Sequence, residues 1–189
     1  ALENGGKVLW FPERDCYASQ TVGGLFQTDY WNYRMFETIS RNNRKPVSPG
    51  TMGLLIDPSH PLFRSFPTDF HTNWQWFPIV KQSYPLILDY FPKGYRPIVQ
   101  VIDNIERNHK LGLIFELAVG KGKLLVCMSN LEAVDDKPEV RQLYRSMLDY
   151  MASGDFNPKT AVSSGELVRL LRMRPEETKR KELRNISFE

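Results

Sequence analysis

The chain has 189 residues, 41% of them hydrophobic and 12% aromatic, enough to bury one sizeable core but too few for two full domains of the usual ~100–200 residues. Twenty-five Lys and Arg against 22 Asp and Glu leave a formal charge of +3 dispersed along the chain, which argues against a nucleic-acid or anionic-membrane partner. The aromatic content excludes disorder over most of the length, and no stretch approaches the ~18 apolar residues of a membrane span.

Leu2-Glu3-Asn4-Gly5-Gly6 reads as the tail of a helix and a glycine turn, and Val8-Leu9-Trp10-Phe11-Pro12 as a short apolar strand stopped by proline. A strand apolar on both faces needs cover from both sides, as in α/β folds, so a preceding β-α portion is expected. Residues 30 to 42, which hold Tyr30, Trp31, Tyr33 and Phe36, are expected to form a short helix. Met52 to Pro58 is a second short apolar strand, and Ser59 to Phe63 a loop entering a helical turn. Further strands are expected within 85–90 and 97–103, with the aromatic segment Phe70-His71-Thr72-Asn73-Trp74-Gln75-Trp76-Phe77-Pro78 ahead of them. If that segment is extended, Trp74 and Trp76 share one face and Gln75 the other.

Gly120-Lys121-Gly122 between two apolar runs predicts a β-hairpin, residues 110–119 against 123–128. Val140, Leu143, Tyr144, Met147, Leu148 and Met151 repeat at helical spacing, with Pro138 in the first turn and Gly154 past the end. Ser163 or Ser164 is placed to cap a last helix through Leu167, Leu170 and Leu171.

A nucleophile needs a base within hydrogen-bond reach, and neither Cys16 nor Cys127 has a sequence partner; Cys127 reads as a small buried thiol. The three histidines, His60, His71 and His109, have no metal-ligand spacing, and no nucleotide or cofactor fingerprint occurs, so neither metal nor cofactor is expected. For glycoside hydrolysis two carboxylates must face each other ~5–10 Å apart. Asp103 and Glu106 are the only candidates, and only by default, because both lie in one polar loop between strands. Aromatic faces stack on sugar rings while Asp, Asn and Arg take the hydroxyls. The residues suited to a ligand surface are therefore His71, Asn73, Trp74, Trp76, Asp103 and Arg107, against the plainer reading of both tryptophans as core or interface anchors.

Gly50 to Phe63, Phe66 to Trp76 and Gly120 to Cys127 resemble the C-terminal accessory region of bacterial family 2 glycoside hydrolases, the β-galactosidase-like or sugar-binding enzymes, with Thr68 to Trp76 the most specific part. The resemblance implies a class I glutamine-amidotransferase-like, flavodoxin-type α/β domain over residues 1–156, a three-layer sandwich with a mixed sheet, and a C-terminal helical extension over 157–189. It implies a setting that is periplasmic or secreted. No catalytic residue follows from it, because those enzymes carry their carboxylates on a (β/α)8 barrel of ~250 residues that this chain is too short to contain. The expectation is a non-catalytic accessory module that binds carbohydrate or docks to glycoside hydrolase domains. Two alternatives stand beside it: a small glycoside hydrolase using Asp103 or Glu106, and a purely structural module that forms homo-oligomers.

Overall fold

Ten consecutive residues, Lys110–Val119, form the strand on which the sheet is built. The computed structural model describes residues 1–23, 38, 41–43, 51–103 and 108–173. Its strands are β1 (Lys7–Trp10), β2 (Gly53–Ile56), β3 (Leu86–Ile87), β4 (Val99–Ile102), β5 (Lys110–Val119), β6 (Gly122–Cys127) and β7 (Ala161–Val162). They make one mixed, open, seven-stranded sheet in the order β1-β6-β5-β4-β2, with β3 and β7 also paired to β5. β1 runs parallel to β6 and β7 parallel to β5; the other pairs are antiparallel. With its helices the molecule is an α/β fold.

A strand has only two edges, and β5 uses both along nearly its whole length. Gly112 pairs with Leu86 of β3 and Gln100 of β4, while Ala118 pairs with Lys123 of β6 and Ala161 of β7. One edge therefore carries β6 and then β3, the other β4 and then β7. The register shifts between Val99 and Gln100, whose partners are Ile114 and Gly112, so Leu113 is the extra residue of a bulge. Gly112 leaves room for Leu88: a Cβ would stand 2.6 Å from Leu88 Cδ1, so that side chain would have to shift. The expected hairpin forms, with Val119 opposite Gly122 and Gly120 at φ +58° in the turn.

The helices whose full extent lies among the described residues are α1 (Phe77–Lys81), α2 (Pro138–Ala152) and α3 (Ser164–Arg172). In α2, Pro138 sits in the first turn, where its missing N–H costs nothing, and Val140, Leu143, Met147, Tyr150 and Met151 make the buried stripe. The helix packs on the 3-10 turn Pro61–Ser65, with the Ser146 hydroxyl donating to the Leu62 carbonyl. Ser163 caps α3 by accepting from the Glu166 N–H at 3.1 Å. Val162 of β7 and Leu167, Leu170 and Leu171 of α3 are buried in the same apolar cluster as the sheet, so residues 157–172 add to the core of 1–156.

Three expectations change. The strand expected within 85–90 shortens to Leu86–Ile87, because Asp89 leaves the sheet to bond the Lys110 N–H with its side chain. Val8, Leu9 and Trp10 are only half-buried, since β1 is an edge strand of the described sheet. The segment around Trp74 is a turn of helix and not a strand. The helix expected over 30–42 lies almost entirely outside the described residues.

Candidate functional site

Residues Phe70 to Thr72 run along the outer edge of β2, and Asn73 to Phe77 follow them. The Phe70 carbonyl accepts from the Ile56 N–H at 2.9 Å, His71 bridges Leu55, and Thr72 Oγ1 accepts from the Leu54 N–H at 2.9 Å. Trp74–Trp76 then form a 3-10 turn. With about three residues per turn, positions two apart lie about 240° round the axis and point away from each other. The two tryptophans therefore do not share a face. Trp76 is fully buried, edge-on to Phe66 at 5.3 Å, and its Nε1 donates to Thr68 Oγ1 at 2.7 Å; it is a core anchor and not a ligand platform. Trp74 is 84% exposed and lies 5.8 Å from the half-exposed ring of Phe77. Phe70, 62% exposed, sets its ring edge-on to His71 at 4.7 Å.

The segment is held from several points. Asn73 donates to Asp69 Oδ2 at 3.0 Å and Gln75 to the Pro67 carbonyl at 2.9 Å, while His71 Nδ1 sits 2.8 Å from the Thr72 carbonyl oxygen. Asn73 Oδ1 is buried with no hydrogen-bond partner among the described residues.

Asp103 is buried, and its Oδ2 accepts from the His109 N–H at 2.9 Å, closing the loop that leaves β4. A carboxylate held this way braces a turn and is not presented as an open acid or base. Glu106 and Arg107 lie outside the described residues. The register places His71 against one edge of β2, through Leu55, and Ile102, beside Asp103, against the other, through Gly53. The sequence also hides a pair twenty positions apart: Asp89 Oδ2 lies 2.7 Å from His109 Nδ1, and Asp89 Oδ1 accepts from the Lys110 N–H at 2.7 Å. This orients the imidazole, but no described hydroxyl or thiol is hydrogen-bonded to its other nitrogen, so the dyad lacks a nucleophile.

Cys127 is fully buried and its thiol is pushed up to about 12 by desolvation, which makes it inert. Cys16 is exposed, with Glu13 Oε2 3.9 Å from its sulfur. No cluster of three or more His, Cys, Asp and Glu that could hold a metal occurs among the described residues, and no described helix is long and apolar enough to cross a membrane.

Two concavities remain. One, of about 1,050 Å³, opens beyond the C-terminal ends of the parallel pair β1 and β6, between Phe11–Asp15, Lys81–Tyr84, Ser129–Glu132 and the first turns of α2. The other, of about 1,080 Å³, is bordered by Lys93, Tyr95, Arg96, Lys110 and Lys159 above Glu116. Burial raises the Glu116 carboxyl above its ordinary range, against the Tyr150 hydroxyl, which donates to it at 2.7 Å, and the charges of Lys123 and Lys159.

No curated protein matches the chain. A family model described as a domain of unknown function, DUF8487, matches residues 1–172. The match runs from the Leu2–Asn4 turn through all seven strands to the last residue of α3, and the chain belongs to the DUF8487 family.

Proposed function

We propose that this chain is a non-catalytic accessory module of a glycoside hydrolase system, docking to enzyme domains through the aromatic edge outside β2. The observation that carries the reading is Trp74: 84% exposed, yet mounted on a turn whose next residue but one, Trp76, is locked in the core. Large exposed apolar groups on a well-packed surface mark interaction sites, and Trp is enriched among the few residues that dominate interface energetics. Because Trp76, Gln75 and Asn73 already fix the backbone, a partner meeting Trp74 and Phe77 loses little further freedom on binding. The resemblance of Thr68 to Trp76 to the accessory region of family 2 glycoside hydrolases names the partner class. The same resemblance supports a flavodoxin-like, amidotransferase-like three-layer arrangement for the sheet and helices, in a periplasmic or secreted setting.

A small hydrolase acting through Asp103 is the weaker reading, since that carboxylate is engaged by the His109 N–H. The docking reading is tested by sedimentation velocity of the chain with the catalytic domains of a family 2 glycoside hydrolase. A complex lost in Trp74→Ala and Phe77→Ala, with thermal unfolding unchanged, supports it. Self-association abolished by the same substitutions would replace it with homo-oligomerisation, and the absence of any complex would overturn it.

A further inference from the structure

We propose that the cleft beyond the C-terminal ends of β1 and β6 binds a neutral saccharide. In open α/β sheets, ligands settle outside the carboxyl ends of parallel strands, and this cleft, with about 1,050 Å³ of space, lies at the C-terminal ends of the parallel pair β1 and β6. That is the upper end of the ~300–1,000 Å³ of small-molecule pockets and suits more than one sugar ring.

The floor is prebuilt. Ser83 and Ser129 bridge each other, their hydroxyls donate to the Val80 and Ile79 carbonyls at 2.7 Å each, and the Tyr84 hydroxyl donates to the Pro12 carbonyl at 2.8 Å. These groups are satisfied and hold the walls. The rim is different: Arg14, Asp15, Lys81, Gln82, Glu132 and Asp135 line the cleft and make no side-chain hydrogen bond or ion pair with another described residue. Donors and acceptors are therefore interleaved and available, as hydroxyls that both give and accept require.

Charge decides the ligand class. Arg14, Lys81 and Arg141 face Glu13, Asp15, Glu132 and Asp135, three cations against four carboxylates, so the cleft has no field to collect a phosphate, sulfate or uronate. Two rings supply the apolar component: Phe11 and Tyr144 lie 6.2 Å apart and inclined at 38°, with Tyr144 on the exposed side of α2. A pyranose has an apolar C–H face for such rings and a hydroxyl edge for the rim. The hydroxyls of Ser83 and Ser129 are committed to backbone carbonyls, so the ligand is met by the rim and the two rings and not by these serines. The inference is independent of the docking edge.

The test is calorimetric titration of the full chain with cellotriose, mannotriose and β-1,4-galactotriose, and with trigalacturonate as the charged counterpart. Binding of at least one neutral trisaccharide is expected, weakened about tenfold by Tyr144→Ala and by Gln82→Ala, and about tenfold weaker for trigalacturonate. Near-ultraviolet circular dichroism checks that both variants keep their packing. Trp74→Ala, which breaks docking, should leave the titration unchanged. No binding of any neutral sugar, a preference for trigalacturonate, indifference to both cleft substitutions, or loss of binding in Trp74→Ala would each overturn the assignment.

Discussion

The centre of the sheet and its outer edge treat aromatic residues in opposite ways. Around β5, Phe115 is sealed against Phe91 and the absence of a side chain at Gly112 makes room for Leu88; outside β2, Phe70, Trp74 and Phe77 are left half-open or more. The contrast falls within two residues at Trp74 and Trp76. Composition alone would count both as core. What separates them is local: Phe70, His71 and Thr72 complete the edge of β2 and Trp76 bonds Thr68 in the core, so the segment is held without the rings of Phe70, Trp74 and Phe77.

Substitutions can break or sharpen that contrast. Trp76→Ala should cost about 3–5 kcal/mol in urea unfolding, the range for a large buried aromatic; a loss below about 1 kcal/mol would mean that Trp76 is not a core anchor. Gly112→Ala should cost about 1–3 kcal/mol through overpacking against Leu88 and Phe115, and Leu88→Ala in the same chain should recover part of it. At the edge, Trp74→Ala should stay within about 0.5 kcal/mol of the parent, while the docking measurement responds to it.

Glu116 and His60 each make stability depend on pH, with opposite signs. The Glu116 carboxyl is raised above 4.5, chiefly by burial, so the native state holds more protons than the unfolded chain just above that pH. Its contribution is full below 4.5 and is lost as pH rises through the raised value. Glu116→Gln keeps an acceptor for Tyr150 and should therefore gain stability relative to the parent at about pH 7 over about pH 4. His60 has the opposite sign. Burial lowers it below 6.5, and its Nδ1 accepts from the Leu62 N–H at 3.2 Å, so its contribution is present above 6.5 and lost as pH falls through the lowered value. His60→Asn preserves a capping acceptor and should flatten that acid-side loss in the urea midpoint.

Legibility in the sequence followed the distance between partners. The hairpin at Gly120, helix α2 with Pro138 at its start, and the Ser163 cap are local patterns, and each is where its residues put it. The shared face expected for Trp74 and Trp76 does not form, because alternation assumes an extended chain, whereas Asn73 to Phe77 coil into a turn with a three-residue period. Asp103 carried the right chemistry for a site, but its environment, the His109 N–H, appears only once the loop is closed. The strand-end cleft draws on residues 11–15, 81–84, 129–132 and the start of α2. No spacing rule connects those four segments; only the parallel pairing of β1 with β6 does.

The ladder around β5 also dictates an order of events during synthesis. The Ala118 N–H is satisfied by the Thr160 carbonyl at 2.9 Å, and the Gly120 N–H by the Val162 carbonyl at 3.3 Å. A nascent chain that has released β5 and β6, which ends at Cys127, still lacks these acceptors until roughly 35 residues more have emerged, as far as Val162. The central strand is thus completed by an element made well after its hairpin partner, and a ribosome stalled before residue 160 would hold a sheet in which the end of β5 is still open to water.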